Sequence, residues 1–301
     1  MCKSKQMKRV LVQVKYNRAG EDLLRYAGQL AGTLGAELVL IETSHTQELT
    51  FTQQSRSIHG LRVFGERILS QLTHKSASVP FECVVKPGNL NDCVTAVVQD
   101  YHVDLVVMET CVMHPEEMTD KDLASHIMEI VPCPVMVVPC TAQYQQLDNL
   151  IFATDFTDQD DKVLMQIVVF AQQVNAVLTL VQVYSRGEHN NLSSYKAAML
   201  GLQKQYQDQK VTFRLLEEED VLEGISDFAE LAGSDMLVMA TQDSFMMKRL
   251  FSSNYIKTMA YHTRYPILTF RQLKKKPCSG MCANCAGQQK ELDLLTALSA
   301  K

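Results

Sequence analysis

The sequence contains no apolar run close to the roughly 20 residues that a membrane-spanning helix needs. The apolar stretch after the basic N-terminal residues 1–5 is too short for the core of a signal peptide. Positive charge is not in excess either, because the formal net charge is −5, whereas surfaces that bind nucleic acid or anionic lipid are basic. We therefore expect a cytoplasmic protein with neither a nucleic-acid nor a membrane partner.

The short motifs of several enzyme classes are also missing. The sequence has no P-loop, no nucleophile elbow and no paired catalytic carboxylates. Its eight histidines are scattered singly, and the His114–Glu117 segment lacks the HExxH spacing of zinc proteases. The acidic run Glu217–Asp220 is more typical of a solvated loop than of a cation site. We predict no catalytic residue and no enzymatic activity.

What the sequence does contain is one hydrophobic pattern that occurs twice. Each half has a helical stripe, and the two stripes lie 140 positions apart at all four residues: Leu23, Ala27, Leu30 and Leu34, then Val163, Ile167, Phe170 and Val174. Apolar strands 38–41 and 178–181 keep that offset, which falls to 132 for strands 134–138 and 266–270. The second copy has therefore lost a few loop residues, as surface connections tolerate.

Each copy alternates five apolar strands with amphipathic helices. Strands that are apolar on both faces favour a parallel sheet covered on both sides. We predict the α/β class, with two tandem five-stranded, doubly wound, Rossmann-like domains at residues 1–140 and 148–272. The polar segment 141–148 is the expected linker, and residues 273–301 form a C-terminal tail. Ligands of such sheets bind beyond the carboxyl ends of the strands.

Each copy carries two short motifs at its strands. They are Asp-Leu-Val-Val-Met at 104–108 and Cys-Pro-Val-Met-Val-Val at 133–138 in the first copy, and Phe-Ala-Thr-Asp-Phe-Thr at 152–157 and Tyr-Pro-Ile-Leu at 265–268 in the second. These motifs and the order of the strands resemble the universal stress protein family. The resemblance covers residues 7–140 and 148–272. It implies pairing through the fifth strand, here Val135–Val138 and Ile267–Phe270, whose free edges invite a partner. We expect the two copies to pair within one chain; a homodimer and an unidentified protein partner remain open.

Members of this family that bind ATP carry a loop of the form G-x2-G-x9-G-[ST] after the fourth strand. Glycine serves there because backbone amides must approach phosphate oxygens closely. The second copy has Ala240, Asp243, Ser253 and Asn254 at the corresponding positions, and no glycine occurs between Gly233 and Gly280. In the first copy, Glu109 replaces the first glycine and Lys15 replaces the aspartate that ends the first strand. The ATP loop is thus lost in both copies.

The resemblance still implies a weak adenine-nucleotide site in the second copy. Its expected residues are Ala153, Thr154, Asp155, Val183, Met239, Ala240 and Asn254. By resemblance, Asp155 contacts the base or the ribose. The alternative is that Asp155 caps the helix that starts near Asp160 or accepts hydrogen bonds from loop amides, as aspartate at a strand end commonly does.

Five of the nine cysteines lie in or beside apolar strand and helix patterns and are expected to be small buried hydrophobes: Cys83, Cys93, Cys111, Cys133 and Cys140.

The tail carries three other cysteines, Cys278, Cys282 and Cys285, after a run of three lysines. Their C-x3-C-x2-C spacing is similar to that of radical-SAM enzymes, but it follows a finished α/β domain. Zinc or an iron–sulfur cluster needs about four ligands, so one must come from elsewhere. We therefore keep two hypotheses: a non-catalytic stress-response and regulatory binding protein, or a metal- or redox-responsive protein that uses the tail thiols.

Overall fold

The computed structural model describes residues 7–44, 46, 48–72, 79–110, 119–140, 142–241 and 265–272. The first copy contains β1 (Arg9–Gln13), α1 (Arg18–Leu34), β2 (Glu37–Ser44), α2 (Phe51–Leu69), β3 (Phe81–Pro87), α3 (Leu90–Asp100), β4 (Leu105–Thr110), α4 (Thr119–Ile130) and β5 (Val135–Pro139). The second copy contains β6 (Asn149–Ala153), α5 (Asp161–Gln173), β7 (Val177–Tyr184), a 3-10 helix (Arg186–Asn191), α6 (Leu192–Gln205), β8 (Val211–Glu217), α7 (Val221–Leu231), β9 (Met236–Thr241) and β10 (Ile267–Arg271). This alternation confirms the predicted fold class.

All ten strands belong to one sheet, in the order β3-β2-β1-β4-β5-β10-β9-β6-β7-β8. The pairs within each copy are parallel, and the central pair, β5 with β10, is antiparallel. At this seam Val137 lies opposite Ile267, and the Thr269 hydroxyl donates to the Val135 carbonyl at 3.0 Å. The predicted pairing of the fifth strands within one chain is therefore present. It fuses the two parallel sheets into one mixed sheet.

Both faces of the sheet are covered by helices. Along β1, Val10 and Val12 belong to a core layer shared with α1, α2, α5 and α6, whereas Leu11 faces a second layer with α3, α4 and α7. Successive residues of a strand point to opposite faces. The near-continuous apolar strands therefore supply both cores, as a doubly wound sheet requires.

Helix boundaries repeat between the copies along with the hydrophobic pattern. Asn17 caps α1 by accepting a hydrogen bond from Gly20, and Asp160 caps α5 in the same way through Lys162. After α1, Gly35 adopts a left-handed conformation with φ of 63°; Asn175, 140 positions later, follows α5 with φ of 61°. Left-handed residues at this position end a helix by redirecting the chain, and asparagine tolerates the conformation better than most residues.

An aspartate before the fourth strand of each copy holds the start of the first strand. One oxygen of Asp104 accepts hydrogen bonds from the amides of Lys8 and Arg9 at 2.9 and 3.1 Å. One oxygen of Asp235 does the same for Asp148 and Asn149, both at 2.8 Å. In each copy, the aspartate before the fourth strand therefore joins that strand to the first strand, with which it pairs.

The connection between the copies, residues 142–148, lies against the body of the protein. Leu147 is only 3% exposed, and the rings of Tyr144 and Tyr26 meet edge to face at 5.2 Å between centroids. The Tyr144 hydroxyl also lies 2.8 Å from that of Thr33. The segment predicted as a polar linker thus contributes side chains to the core. Within the described ranges, no helix combines the length and the apolarity needed to cross a membrane.

Candidate functional site

The carboxyl ends of β6 and β9 lie side by side in the second copy. Ala153 lies opposite Met239 where these neighbouring strands pair. From β6 the chain proceeds to β7 and β8 on one side of the sheet, and β9 and β10 lie on the other side. Such a reversal of strand order opens a crevice where ligands of open α/β sheets bind. The structure brings six of the predicted residues to this edge: Ala153, Thr154, Asp155, Val183, Met239 and Ala240.

The end of β7 offers unpaired backbone groups to this crevice. The ladder between β6 and β7 ends at Ala153 and Val181, and the Thr154 amide then donates to the Val181 carbonyl at 2.9 Å. In a parallel strand, alternate residues direct both backbone groups to the same neighbour, so those of Val183 face the β6 side. Among the described residues, no backbone hydrogen bond reaches Val183 from that side. Val183 therefore presents a donor and an acceptor side by side.

Asp155 is exposed just beyond β6, and its carboxylate is engaged locally. One oxygen accepts hydrogen bonds from both the amide and the hydroxyl of Thr157, each at 2.8 Å. The cap of α5 is Asp160, not Asp155. Of the two local roles considered for Asp155, the structure contains the bond to loop amides. This bond uses one carboxylate oxygen and holds the side chain in place.

Two glutamines that the motifs did not single out hold the Asp155 loop. The side chain of Gln182 is buried, and its oxygen accepts a hydrogen bond from the Phe156 amide at 3.0 Å. On the other side, Gln272 donates to the Asp158 carbonyl at 2.7 Å. Gln182 is the one amide side chain in the largely apolar strand β7, and this was the available signal. Nothing in the sequence around Gln272 indicated its role.

The 3-10 helix Arg186–Asn191 follows the end of β7 and forms a polar and aromatic cluster with Tyr184 of β7 and Tyr195 of α6. The Tyr195 hydroxyl donates to Glu188 at 3.2 Å, and the Tyr184 and Tyr195 rings lie 6.4 Å apart. Burial raises the pKa of Tyr195, and the negative charges of Glu188 and Asp155 raise it further. The field of Asp155 therefore reaches this cluster, which borders the crevice.

The equivalent crevice of the first copy is occupied by its own side chains. The Lys15 ammonium lies 3.6 Å from the Glu109 carboxylate, and the Glu109 side chain is only 7% exposed. Lys15 corresponds to Asp155, and Glu109 corresponds to Ala240. The next residue, Tyr16, donates to Glu42 at 2.6 Å. Where the second copy has an acid and a small apolar residue, the first copy thus has an internal ion pair.

Metal-binding clusters are not found in the described part of the chain. No group of three or more histidine, cysteine or acidic residues there is arranged to hold an ion. In the acidic run, Glu217 pairs with Arg186 and His189, and Asp220 caps α7. The predicted residues Asn254, Cys278, Cys282 and Cys285 lie outside the described residues, as do Asp243 and Ser253.

Four of the cysteines expected to be small buried hydrophobes are described, and all four are free thiols. Only Cys93 is buried; Cys83, Cys133 and Cys140 are partly exposed, which corrects that expectation. Burial nevertheless raises the pKa of the Cys133 thiol to about 12. The fifth of these cysteines, Cys111, lies outside the described residues.

Comparison with known proteins agrees with this geometry. The model of the universal stress protein family matches residues 7–139 and 147–271. The fold is similar to a universal stress protein from Archaeoglobus fulgidus DSM 4304, with a TM-score of 0.64 and 11% identity over 89% of this chain and 99% of that one. It is also similar to a protein of unknown function from Pseudomonas aeruginosa PAO1, with a TM-score of 0.57 and 14% identity over 88% and 93% of the two chains.

At these identities the structural likeness concerns the fold alone. No curated protein sequence matches the chain. The two family matches together span most of the sequence, and each coincides with one half of the ten-stranded sheet. This chain belongs to the universal stress protein family and contains two of its domains in tandem.

Proposed function

We propose that this protein is a non-catalytic regulatory binding protein in which only the second copy takes an adenine nucleotide. The observation that carries the proposal is the difference between the two crevices. The first is occupied by the ion pair between Lys15 and Glu109 at 3.6 Å. The second has Asp155 and Ala240 at the equivalent positions, beside the unpaired edge that the second strand of each copy presents. The first copy then serves as a fixed partner for the second.

The chemistry of the second crevice suits a base and a ribose. The adjacent N–H and C=O of Val183 match the acceptor and donor that adenine presents along one edge. The second oxygen of Asp155 can accept from ribose hydroxyls while the first holds Thr157. Met239 and Ala240 add apolar contact. These groups favour binding over reaction, since none of them is a nucleophile poised beside a base.

The phosphate end of the site contributes little in this proposal. A phosphate cradle needs glycines that let backbone amides approach, and the sequence has none between Gly233 and Gly280. By the family's loop motif, Asp243 in addition brings a negative charge to a position where ATP-binding members have glycine. Adenosine and AMP are therefore expected to bind about as tightly as ATP, within about threefold, which is less than 1 kcal/mol.

Calorimetric titration of the full chain with adenosine, AMP and ATP tests this. Asp155→Asn keeps an oxygen for Thr157 and removes the charge, so it should weaken adenosine by about tenfold, near 1.4 kcal/mol. Lys15→Met in the first copy is the matched control and should leave the affinity unchanged. The proposal would be contradicted if ATP bound at micromolar affinity and far more tightly than AMP. It would also be contradicted if Asp155→Asn and Lys15→Met weakened adenosine binding equally.

A further inference from the structure

A second cavity, of about 450 Å³, lies between the two copies beneath the connection that joins them. Its walls come from α1 of the first copy, from residues 142–147, and from the residues that precede β9 and β10. It therefore opens at the amino ends of the strands of the second copy, opposite the crevice at their carboxyl ends. Its size is that of ordinary small-molecule sites, which measure about 300–1,000 Å³.

Tyr26 lines this cavity, and its buried hydroxyl is an unused hydrogen-bonding group. The residue is only 3% exposed and lines the cavity, and its hydroxyl has no hydrogen-bond partner among the described residues. Buried hydroxyls are nearly always paired, because losing water without a replacement costs about 1–3 kcal/mol. Such a group points to a partner that the polypeptide does not supply. The partner must offer an acceptor to the phenolic O–H.

The charge and the surface of the cavity define the rest of that partner. Asp235 is the one charged residue among the described residues that line the cavity, and none of those described residues is a lysine or an arginine. Tyr26 and Tyr265 supply aromatic rings, and Pro266 and Leu147 supply apolar surface. A carboxylate beside aromatic rings favours an ammonium group, through charge and through the ring faces. Burial is the main cause of the raised pKa of Tyr26, and the negative charge of Asp235 adds to it, so the field of Asp235 acts at the hydroxyl.

We propose that the cavity between the copies binds a small organic cation that also carries an oxygen acceptor. The cationic group faces Asp235 and the tyrosine rings, and the oxygen accepts a hydrogen bond from the Tyr26 hydroxyl. Because residues from both copies and from the connection line the cavity, the ligand would hold the two copies in register. The site is separate from the nucleotide crevice, and neither proposal depends on the other.

Choline is a suitable probe, because it combines a quaternary ammonium group with one hydroxyl. Calorimetry on the full chain should give saturable one-to-one binding. Dimethylbutanol, the uncharged carbon isostere of choline, should bind about tenfold more weakly because it lacks the cation. Propyltrimethylammonium, which lacks the hydroxyl, should bind about threefold to tenfold more weakly because it cannot accept from Tyr26.

Two variants assign these preferences to individual side chains. Asp235→Asn keeps an oxygen for the amides of Asp148 and Asn149, and it should abolish the preference for choline over dimethylbutanol. Tyr26→Phe should abolish the preference for choline over propyltrimethylammonium. Asp104→Asn is the matched control, because Asp104 makes the same backbone bonds in the first copy but does not line the cavity.

Three outcomes would overturn the proposal. The first is no saturable binding of choline, which means that the cavity holds solvent only. The second is equal affinity for choline and its uncharged isostere. The third is an equal loss of choline binding in Asp104→Asn and Asp235→Asn, which would trace the effect to the strand contacts instead of the cavity. Titration with adenosine in the same samples reports separately on the nucleotide crevice.

Discussion

Single residues distinguish the two crevices, although the strands around them are equivalent. Lys15 and Glu109 replace an acid and a small residue, and together they form an ion pair in which the acid is nearly buried. A buried carboxylate is costly unless it is paired, and the cost appears when only one partner is removed. The pair therefore couples two positions that lie 94 residues apart.

Removing the ammonium alone should destabilise the first copy. Lys15→Met should lower the free energy of unfolding by about 1–2 kcal/mol. This is less than the roughly 3–5 kcal/mol usual for a buried pair, because about a third of the Lys15 side chain is exposed. The double variant Lys15→Met, Glu109→Gln should recover most of this loss, since the carboxylate is then absent. Urea unfolding gives both values. If Lys15→Met left the free energy of unfolding unchanged, the ion pair would contribute nothing to stability.

Thiol labelling provides a second test at this scale. The pKa of Cys133 is raised to about 12 by burial, so near pH 8 only about one molecule in ten thousand carries the reactive thiolate. The folded protein should therefore label at Cys133 more than about a hundredfold more slowly than unfolded protein, in which cysteine has a pKa near 8.5. The rate should still rise about tenfold per pH unit up to pH 10. A rate that levels off near pH 9 would contradict the raised pKa.

The tail thiols Cys278, Cys282 and Cys285 are predicted from the sequence alone to react before Cys83 and Cys133. Nearby lysines favour the thiolate form. Mass spectrometry of briefly labelled native protein compares these cysteines directly. Equal or slower labelling in the tail would remove the redox hypothesis.

At the scale of elements, the same turns are made by different residues in the two copies. His102 follows α3 with φ of 50°, and Gly233 follows α7 with φ of 60°. A residue with a Cβ pays about 1–2 kcal/mol for the left-handed conformation, whereas glycine does not. The first copy therefore carries strain at a turn that the second copy makes without it.

Exchanging these residues should shift stability in opposite directions. His102→Gly should raise the free energy of unfolding by about 0.5–1 kcal/mol, because relief of strain exceeds the added flexibility of the unfolded chain. Gly233→Ala should lower it by about 1 kcal/mol through the backbone alone, since a Cβ there has no neighbour within 4 Å. Thermal unfolding measures both. A destabilising His102→Gly would mean that the imidazole makes a contact worth more than the strain.

The elements followed from the sequence because they depend on periodicity. Strands with two apolar faces and helical stripes at a constant offset predict two doubly wound sheets, whereas the seam between the fifth strands was expected from the resemblance to the universal stress protein family. The double hydrogen bonds of Asp104 and Asp235 could not be derived in the same way. They join residues that become neighbours only when the first and fourth strands pair, and aspartate before a strand has many other uses.

The candidate site could likewise be predicted only in part from the sequence. Asp155 and Val183 were identified by resemblance, whereas the unpaired backbone of Val183 depends on where β6 stops relative to β7. The ion pair in the first copy was also not predicted. Lys15 and Glu109 were each recognised as replacements, but only the register between β1 and β4 brings them together. Contacts across strands depend on the register of pairing. A hydrophobic pattern shows which face of the sheet a residue points to, but it does not show which residue lies opposite.

For the whole molecule, the seam between β5 and β10 determines the shape. Val137 and Leu268 are almost completely buried there, with exposures of 1% and 0%. Placing aspartate at both positions should separate the two halves, because two unpaired charges would be buried. X-ray scattering should then show a larger radius of gyration than in the wild type. Alanine at the same two positions is the control and should keep the compact profile; an unchanged profile in the aspartate variant would contradict the role of the seam.

The continuous sheet also has a consequence for how the two halves can vary. In a homodimer, every substitution appears on both sides of the interface, and assembly weakens on dilution. Here each fifth strand always meets the other copy, at a ratio and an effective concentration set by a connection of about eight residues. The chain is in effect a heterodimer encoded as one polypeptide. One half can therefore carry a salt bridge at positions where the other half has different residues. Neither half needs to meet a second molecule in order to pair.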